Sequence, residues 1–235
     1  MKILISLLRP SIGLLIASWI MVAVAAPIRL NSAPININDR AAIKRGAIFF
    51  AGHCMVCHSL KFLQHDPIAN AAGITTQTMP GAARQLALTV PPPDLSLIAR
   101  VRGVNWLYTY LHSFYQDPSN PLGSNNLLMN NVNMPNPFSG LQGVQVLTVN
   151  KDKLLNNGGI FPKPFWFNVL TLEKQGTMTP EQFDATIADV VTFLDYASDP
   201  NRDKREHLGR WVLGFLLIFA CLTYLLQREY WKKFK

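Results

Sequence analysis

Cys54-Met55-Val56-Cys57-His58 is the feature that most limits what this chain can become. Two cysteines separated by two residues and followed at once by a histidine form the attachment signature of c-type haem. On one helical turn both thiols can reach the vinyl groups of a porphyrin while the next imidazole lands on the iron. The surrounding fold must therefore lead a helix into the first cysteine and leave room for a large planar cofactor. Other uses of the pair compete less well. A thioredoxin-like dithiol would need strands ahead of it, where the sequence reads as helix. A zinc site would draw on His53 and His65, since no second cysteine pair exists and Cys221 stands alone.

A haem that only passes electrons needs a sixth iron ligand, and a methionine thioether raises its potential relative to a second histidine. Met79, Met129, Met134 and Met178 lie downstream. Met134 is favoured, because in Asn133-Met134-Pro135-Asn136-Pro137 the prolines stiffen the loop that would present the sulfur. Met79 also precedes a proline and remains the alternative, with Met129 close by in sequence. The haem propionates want cationic or hydroxyl partners, and arginine has the best-shaped donor fork. Arg100, placed after Pro91-Pro92-Pro93-Asp94-Leu95-Ser96-Leu97, is the first choice and Tyr115 the second. Trp106 and Tyr108 read as core aromatics, and His112 and His207 as surface or interface positions.

The ends of the chain point to a membrane. Hydrophobic residues make up 49% of the 235 and charged residues 15%, with the apolar excess concentrated at the two ends. Residues 1–26 read as a signal peptide: Lys2 and Arg9 start it, Ser11–Val24 forms the apolar core, and Ala23-Val24-Ala25 is a small-residue cleavage site. Trp211–Leu226 is sixteen residues without a charge, and with its neighbours it reaches the ~20 needed to span hydrocarbon. Trp211, Tyr230 and Trp231 suit interfacial belts, while Arg228, Lys232, Lys233 and Lys235 would hold a tail in the cytoplasm. The net charge of +8 belongs to these flanks, because residues 27–201 carry twelve Lys/Arg against eleven Asp/Glu. A basic face for nucleic acid is thereby excluded. The expected organisation is a signal peptide at 1–26, an exported domain at 27–201, and an anchor with a short tail at 202–235.

Within the exported domain, periodicity predicts helices and little else. Asp39 is a plausible N-cap for a helix through Ile43 and Phe50 to the cysteine pair. Val104–Tyr115 shows helical spacing of Leu107, Tyr108, Leu111 and Tyr115. Thr179-Pro180-Glu181-Gln182 combines a capping box with proline at the first helical position, opening a helix to about Ala197. Asp199-Pro200-Asn201 then breaks it. The intervals Ser59–Leu97 and Gln116–Leu172 show neither sustained period nor convincing strand alternation. Loops that long need something besides regular structure to order them, and a bound planar cofactor is one such agent.

One family combines these features in this order. Arg45-Gly46, Cys54-Met55-Val56-Cys57-His58-Ser59-Leu60, Pro92-Pro93-Asp94-Leu95-Ser96, Ala99-Arg100, Met134-Pro135, a capped helix and a single C-terminal anchor together resemble the cytochrome c1 family. The likeness runs from about Arg45 to the C-terminus. Two local departures are Ser113-Phe114-Tyr115, where the family often has a Gly-Tyr pair, and Pro-Asn-Pro after Met134, where many members have consecutive prolines.

The resemblance implies an all-α, class I cytochrome c-like haem domain with long loops and one C-terminal transmembrane helix. It implies one covalent haem c on Cys54 and Cys57, iron held by His58 and Met134, and Arg100 beside a propionate. The implied role is single-electron transfer from the Rieske iron–sulfur subunit to a cytochrome c acceptor, beside cytochrome b and membrane lipid, within ubiquinol–cytochrome c reductase. Such a chain is not catalytic alone. It would cross the bacterial inner membrane once, with its haem domain in the periplasm and its C-terminus in the cytoplasm. Competing readings are a haem subunit of another complex such as a terminal oxidase, a haem enzyme or gas sensor with an open sixth position, and a dithiol oxidoreductase without haem.

Overall fold

Asp39 ends an extended lead-in and starts the first helix, its carboxylate accepting from the Ala41 and Ala42 amides at 2.9 and 3.1 Å. The computed structural model describes residues 30–80, 90–148 and 169–232, so the expected signal peptide lies outside the described residues. The helices are α1 (Arg40–His53), α2 (Pro67–Ala71), α3 (Ile98–Arg102), α4 (Val104–His112), α5 (Pro180–Ser198) and α6 (Arg202–Trp231). A 3-10 turn covers Lys61–Leu63. The strands are β1 (Phe114–Gln116), β2 (Ser124–Asn126), β3 (Gly143–Leu147) and β4 (Leu170–Gln175). The described chain is mainly helical, with a few short strands where the sequence shows no alternation.

Two compact units divide it. The attachment unit spans Ala33–Leu107 and Asp184–Lys235; the hairpin unit comprises Tyr108–Phe183 and the segment up to Ser32.

The attachment unit is built on the contact between α1 and α5. Ala42, Ile43, Gly46, Ala47 and Phe50 recur every three or four residues and form the buried face of α1. Gly46 sits where the two helix backbones meet: a Cβ there would lie 2.1 Å from the Asp189 carbonyl oxygen and 2.8 Å from Phe193 Cβ. Phe50 packs on Phe193 one turn further on, with ring centroids 5.7 Å apart. On the outer edge, Arg45 Nε and Nη2 donate to the two Asp189 carboxylate oxygens at 2.6 and 2.8 Å. Tyr196 donates to Asp66 at 2.6 Å, and the other oxygen of Asp66 caps α2.

The hairpin unit holds two antiparallel pairs, β1 with β2 and β3 with β4. Its helix α4 ends at His112, three residues before the predicted end, because β2 captures the carbonyl that would continue it. Asn126 Nδ2 donates to the Tyr110 carbonyl at 2.8 Å, and Ser113 Oγ donates to Asn126 Oδ1 at 3.1 Å. The chain turns there into β1. Gln145 of β3 then bridges the junction, donating to the carbonyls of His112 and Phe114, both at 2.9 Å. His112, expected at a surface or interface, is buried within the hairpin unit beneath a T-shaped contact with Phe183 at 5.2 Å.

The helix α5 opens with the capping box the sequence predicts. The Thr179 amide donates to Gln182 Oε1 at 3.0 Å, and the Gln182 amide donates to Thr179 Oγ1 at 3.3 Å. The helix α6 is long and apolar enough to cross a membrane, and none of its apolar stretch is buried against the rest of the chain.

The backbone contact at Gly46 yields a paired prediction. Gly46→Ala drives a methyl into the Asp189 carbonyl and lowers unfolding stability by about 2–3 kcal/mol, as overpacking does. Gly52→Ala, in the same helix with nothing within 4 Å, raises it by about 0.5 kcal/mol through helix propensity. Urea midpoints of the two variants check both signs.

Candidate cofactor site

The last turn of α1 carries straight into the cysteine pair. The Cys54 amide donates to the Phe50 carbonyl at 2.9 Å, and the His58 amide donates to the Cys54 carbonyl, also at 2.9 Å. One further turn thus holds Cys54, Cys57 and His58 together. Both cysteines are outside any disulfide. Burial, followed by the neighbouring Cys57, pushes the Cys54 thiol up to about 12, so it is held as a thiol at neutral pH.

The His58 ring is oriented from outside the motif. Its Nδ1 lies 2.9 Å from the Pro93 carbonyl, and a carbonyl can only accept, so Nδ1 carries the proton and Nε2 keeps its lone pair. Burial pushes the His58 pKa below its usual range, outweighing the opposing Pro93 bond and Asp94 charge. The side chain is therefore a neutral imidazole with one directed lone pair, the form in which histidine binds a metal.

Asp94 fastens the segment that supplies this carbonyl to the segment that supplies the ring. One carboxylate oxygen accepts from Ser59 Oγ at 2.7 Å and the Lys61 amide at 2.9 Å, and the other accepts from the Ser96 amide at 3.0 Å. The Leu95 amide donates back to the Ser59 carbonyl at 2.9 Å. Burial would raise the Asp94 pKa, but these bonds from Ser96, Ser59 and Lys61 outweigh it and hold the carboxyl below its ordinary value. Sequence reading used the Pro-Pro-Asp-Leu-Ser string only to locate Arg100. Its available signal was the Asp-x-Ser pattern, in which an aspartate side chain bonds backbone two residues on.

The methionines separate by what their sulfurs touch. Met79, in the attachment unit, accepts the Leu60 amide at 3.2 Å. Met134, in the hairpin unit, accepts the Tyr110 hydroxyl at 3.6 Å. Burial pushes that hydroxyl up to about 12, so it is a donor at neutral pH. Arg100 belongs to the attachment unit, where its half-exposed guanidinium lies 4.0 Å from Asp199. Tyr115 belongs to the hairpin unit, where it is buried in an apolar cluster with Val169 and Leu170.

The donor set fits a c-type haem on this chain: two thiols on one turn, followed by an imidazole whose outer nitrogen is already committed. Residues 75–234 match the family model described as the Cytochrome C1 family. The chain is 36% identical to cytochrome c1 of Allochromatium vinosum, covering 93% of this chain and 95% of the relative. It is 35% identical to the protein named ammonia monooxygenase gamma subunit in Nitrosomonas europaea, covering 94% and 95%. Cytochrome c1 of Blastochloris viridis is 29% identical, covering 66% of this chain and 53% of the relative. The chain belongs to the cytochrome c1 family. Membership makes it a c-type cytochrome subunit of a bc1-like complex. The adjacent Cys54 and Cys57 are consistent with the covalently bound haem c that the cytochrome c1 family implies. The same membership agrees with α6 as a membrane anchor.

Asp94→Ala removes the acceptor of Ser59 Oγ and of two backbone amides together. The expected loss is about 2–3 kcal/mol, less than three full charge-assisted bonds because water screens the carboxylate. A carboxyl with a depressed folded pKa stabilises fully above its unfolded value of about 3.9. That contribution fades as pH falls through the folded value, so native and variant denaturation midpoints converge on acidification.

Proposed function

We propose that this chain holds one haem c through thioether bonds at Cys54 and Cys57, and that His58 and Met134 would be the residues that hold its iron. It passes single electrons from a Rieske iron–sulfur subunit to a cytochrome c acceptor within a respiratory ubiquinol–cytochrome c reductase that also contains cytochrome b. Residues 27–201 form the periplasmic domain after removal of the signal peptide at 1–26. Residues 202–235 anchor it once in the bacterial inner membrane and leave the C-terminus in the cytoplasm. The observation that carries the reading is the His58 ring, which is neutral, fixed through Nδ1 by the Pro93 carbonyl, and placed one residue after a pair of thiols.

When bound, haem c supplies a one-electron ferrous/ferric couple. The chain's own residues do the rest. Cys54 and Cys57 prevent loss of the cofactor to the periplasm, a failure open to a noncovalent haem. Pro93 and Asp94 keep the His58 ring from rotating, so little reorganisation accompanies a change of charge beside it. His58 and Met134 would both hold the iron, which would keep small molecules off the metal and suits electron transfer better than a haem enzyme or gas sensor. Met134 is preferred to Met79 because Pro135 and Pro137 stiffen the loop that would present its sulfur. Arg100 and, second, Tyr115 are the proposed propionate partners.

Full-length chain made in a host able to attach haem should give the pyridine haemochrome of a c-type haem and co-purify with a cytochrome b and an iron–sulfur protein. A colourless product overturns the reading. The near-infrared band of a methionine–iron bond should vanish in Met134→Ala and survive in Met79→Ala, and the reverse pattern would transfer the sixth ligand to Met79.

A further inference from the structure

Two features of the hairpin unit converge on the Met134 sulfur. The first is the loop that carries it. The Val132 amide donates to Asn125 Oδ1 at 3.4 Å, Asn120 Nδ2 donates to the Val132 carbonyl at 3.3 Å, and the Asn136 amide donates to Ser124 Oγ at 3.0 Å. Met134 is therefore fastened on both sides to the β1–β2 hairpin and its turn. Asn131, at a φ of 56°, takes the left-handed bend that lets the chain double back there.

The second feature is Tyr110. Its ring is buried and meets Phe114 edge-on at 5.1 Å, and its carbonyl is gripped by Asn126. Asn126 is the neighbour of Asn125, so one short strand positions both the hydroxyl and the sulfur that it meets.

We propose that Tyr110 is a positioning residue whose hydroxyl, by donating to the Met134 thioether, raises the reduction potential and holds the sulfur in place. This inference rests on Met134 being the sixth ligand. A thioether sulfur has two lone pairs; one can bind a metal while the other accepts the O–H. The hydroxyl dipole then points its positive end at the ligand, withdraws electron density from it, and disfavours the more highly charged ferric state. Outer hydrogen bonds to axial ligands are an established means of setting haem potentials. The bond also opposes departure of the sulfur, because a leaving Met134 would forfeit a hydrogen bond made in a largely buried place.

The test is made on the haem-loaded chain in its membrane complex. Tyr110→Phe keeps the ring and removes only the donor. The expected result is a downward shift of the midpoint potential, a moved but retained near-infrared methionine–iron band, and faster carbon monoxide binding to the reduced protein. Site-specific 3,5-difluorotyrosine at position 110, a stronger donor of the same shape, should shift the potential upward and covers the case in which the phenylalanine variant folds poorly. Unchanged potentials in both variants, with the band lost in Met134→Ala, overturn the role of Tyr110 alone. A band that survives Met134→Ala overturns the ligand assignment and this inference with it.

Discussion

The bond between His58 Nδ1 and the Pro93 carbonyl is the constraint on which the site depends. A metal ligand must present one lone pair in one direction, and a histidine leaving the end of a helix has a freely turning ring. The carbonyl settles both the tautomer and the ring plane in one contact. It comes from a segment 35 residues away, so its own position has to be secured, and Asp94 secures it by bonding both sides of the gap. The three prolines before Asp94 contribute by stiffness: each has a fixed φ and lacks an amide, so the run cannot coil into a helix that would withdraw the carbonyl.

Both long irregular segments use this economy. A bound cofactor is one agent that could order them, and the described residues also bind one another through short polar side chains. Around Asp94 the acceptor is a carboxylate that collects amides. Around Met134 it is a set of asparagines, each able to donate and accept at once. Asn125 is fully buried and Asn126 nearly so, which is tolerable because their amides are satisfied by backbone and side-chain partners. A polar core of this kind gives a loop one conformation without the length needed for a ladder of strand bonds.

What could be read from the sequence was local, and what could not was remote. Asp39, the Thr179–Gln182 box and the Asp199-Pro200-Asn201 break act within a few residues, and each marks a helix boundary in the structure. The α4 end was misplaced because Asn126, sixteen residues on from Tyr110, takes the carbonyl that decides it. The strands were missed because β1 and β2 are three residues each, only the first residue of β4 is buried, and β3 buries Gly143 and Gln145 while its valines are partly exposed, the reverse of the apolar-in pattern that marks a strand. His112 looked superficial because the ring that covers it, Phe183, lies on a distant helix. Within the site, the cysteines and histidine were legible as a motif. Pro93 and Asp94, which bond the histidine and its neighbours, looked like ordinary loop residues until the chain folded.

The entrance to the anchor poses an electrostatic problem that the fold resolves locally. The first turn of α6 holds Arg202, Lys204 and Arg205 against one acid, Asp203, and each uncompensated cation at the positive end of the helix dipole costs about 0.3–1 kcal/mol near a surface. The last turn of α5 supplies the compensation. Asp195 accepts Arg202 through both oxygens at 3.1 Å, while Asp199, which is largely buried, is bonded by Arg205 and approached by Arg202 at 3.9 Å and Arg100 at 4.0 Å. Any one of these pairs alone would contribute little, since exposed pairs are worth about 0–1 kcal/mol. A network sharing one poorly solvated carboxylate is different, because removing it would take the common acceptor from Arg100, Arg202 and Arg205 at once and leave Arg202 only Asp195. Charge thus joins α5 to α6 across the Pro200 break, where no apolar packing buries the anchor. The anchor's exposed Trp211, Leu213 and Phe215 remain free to meet lipid.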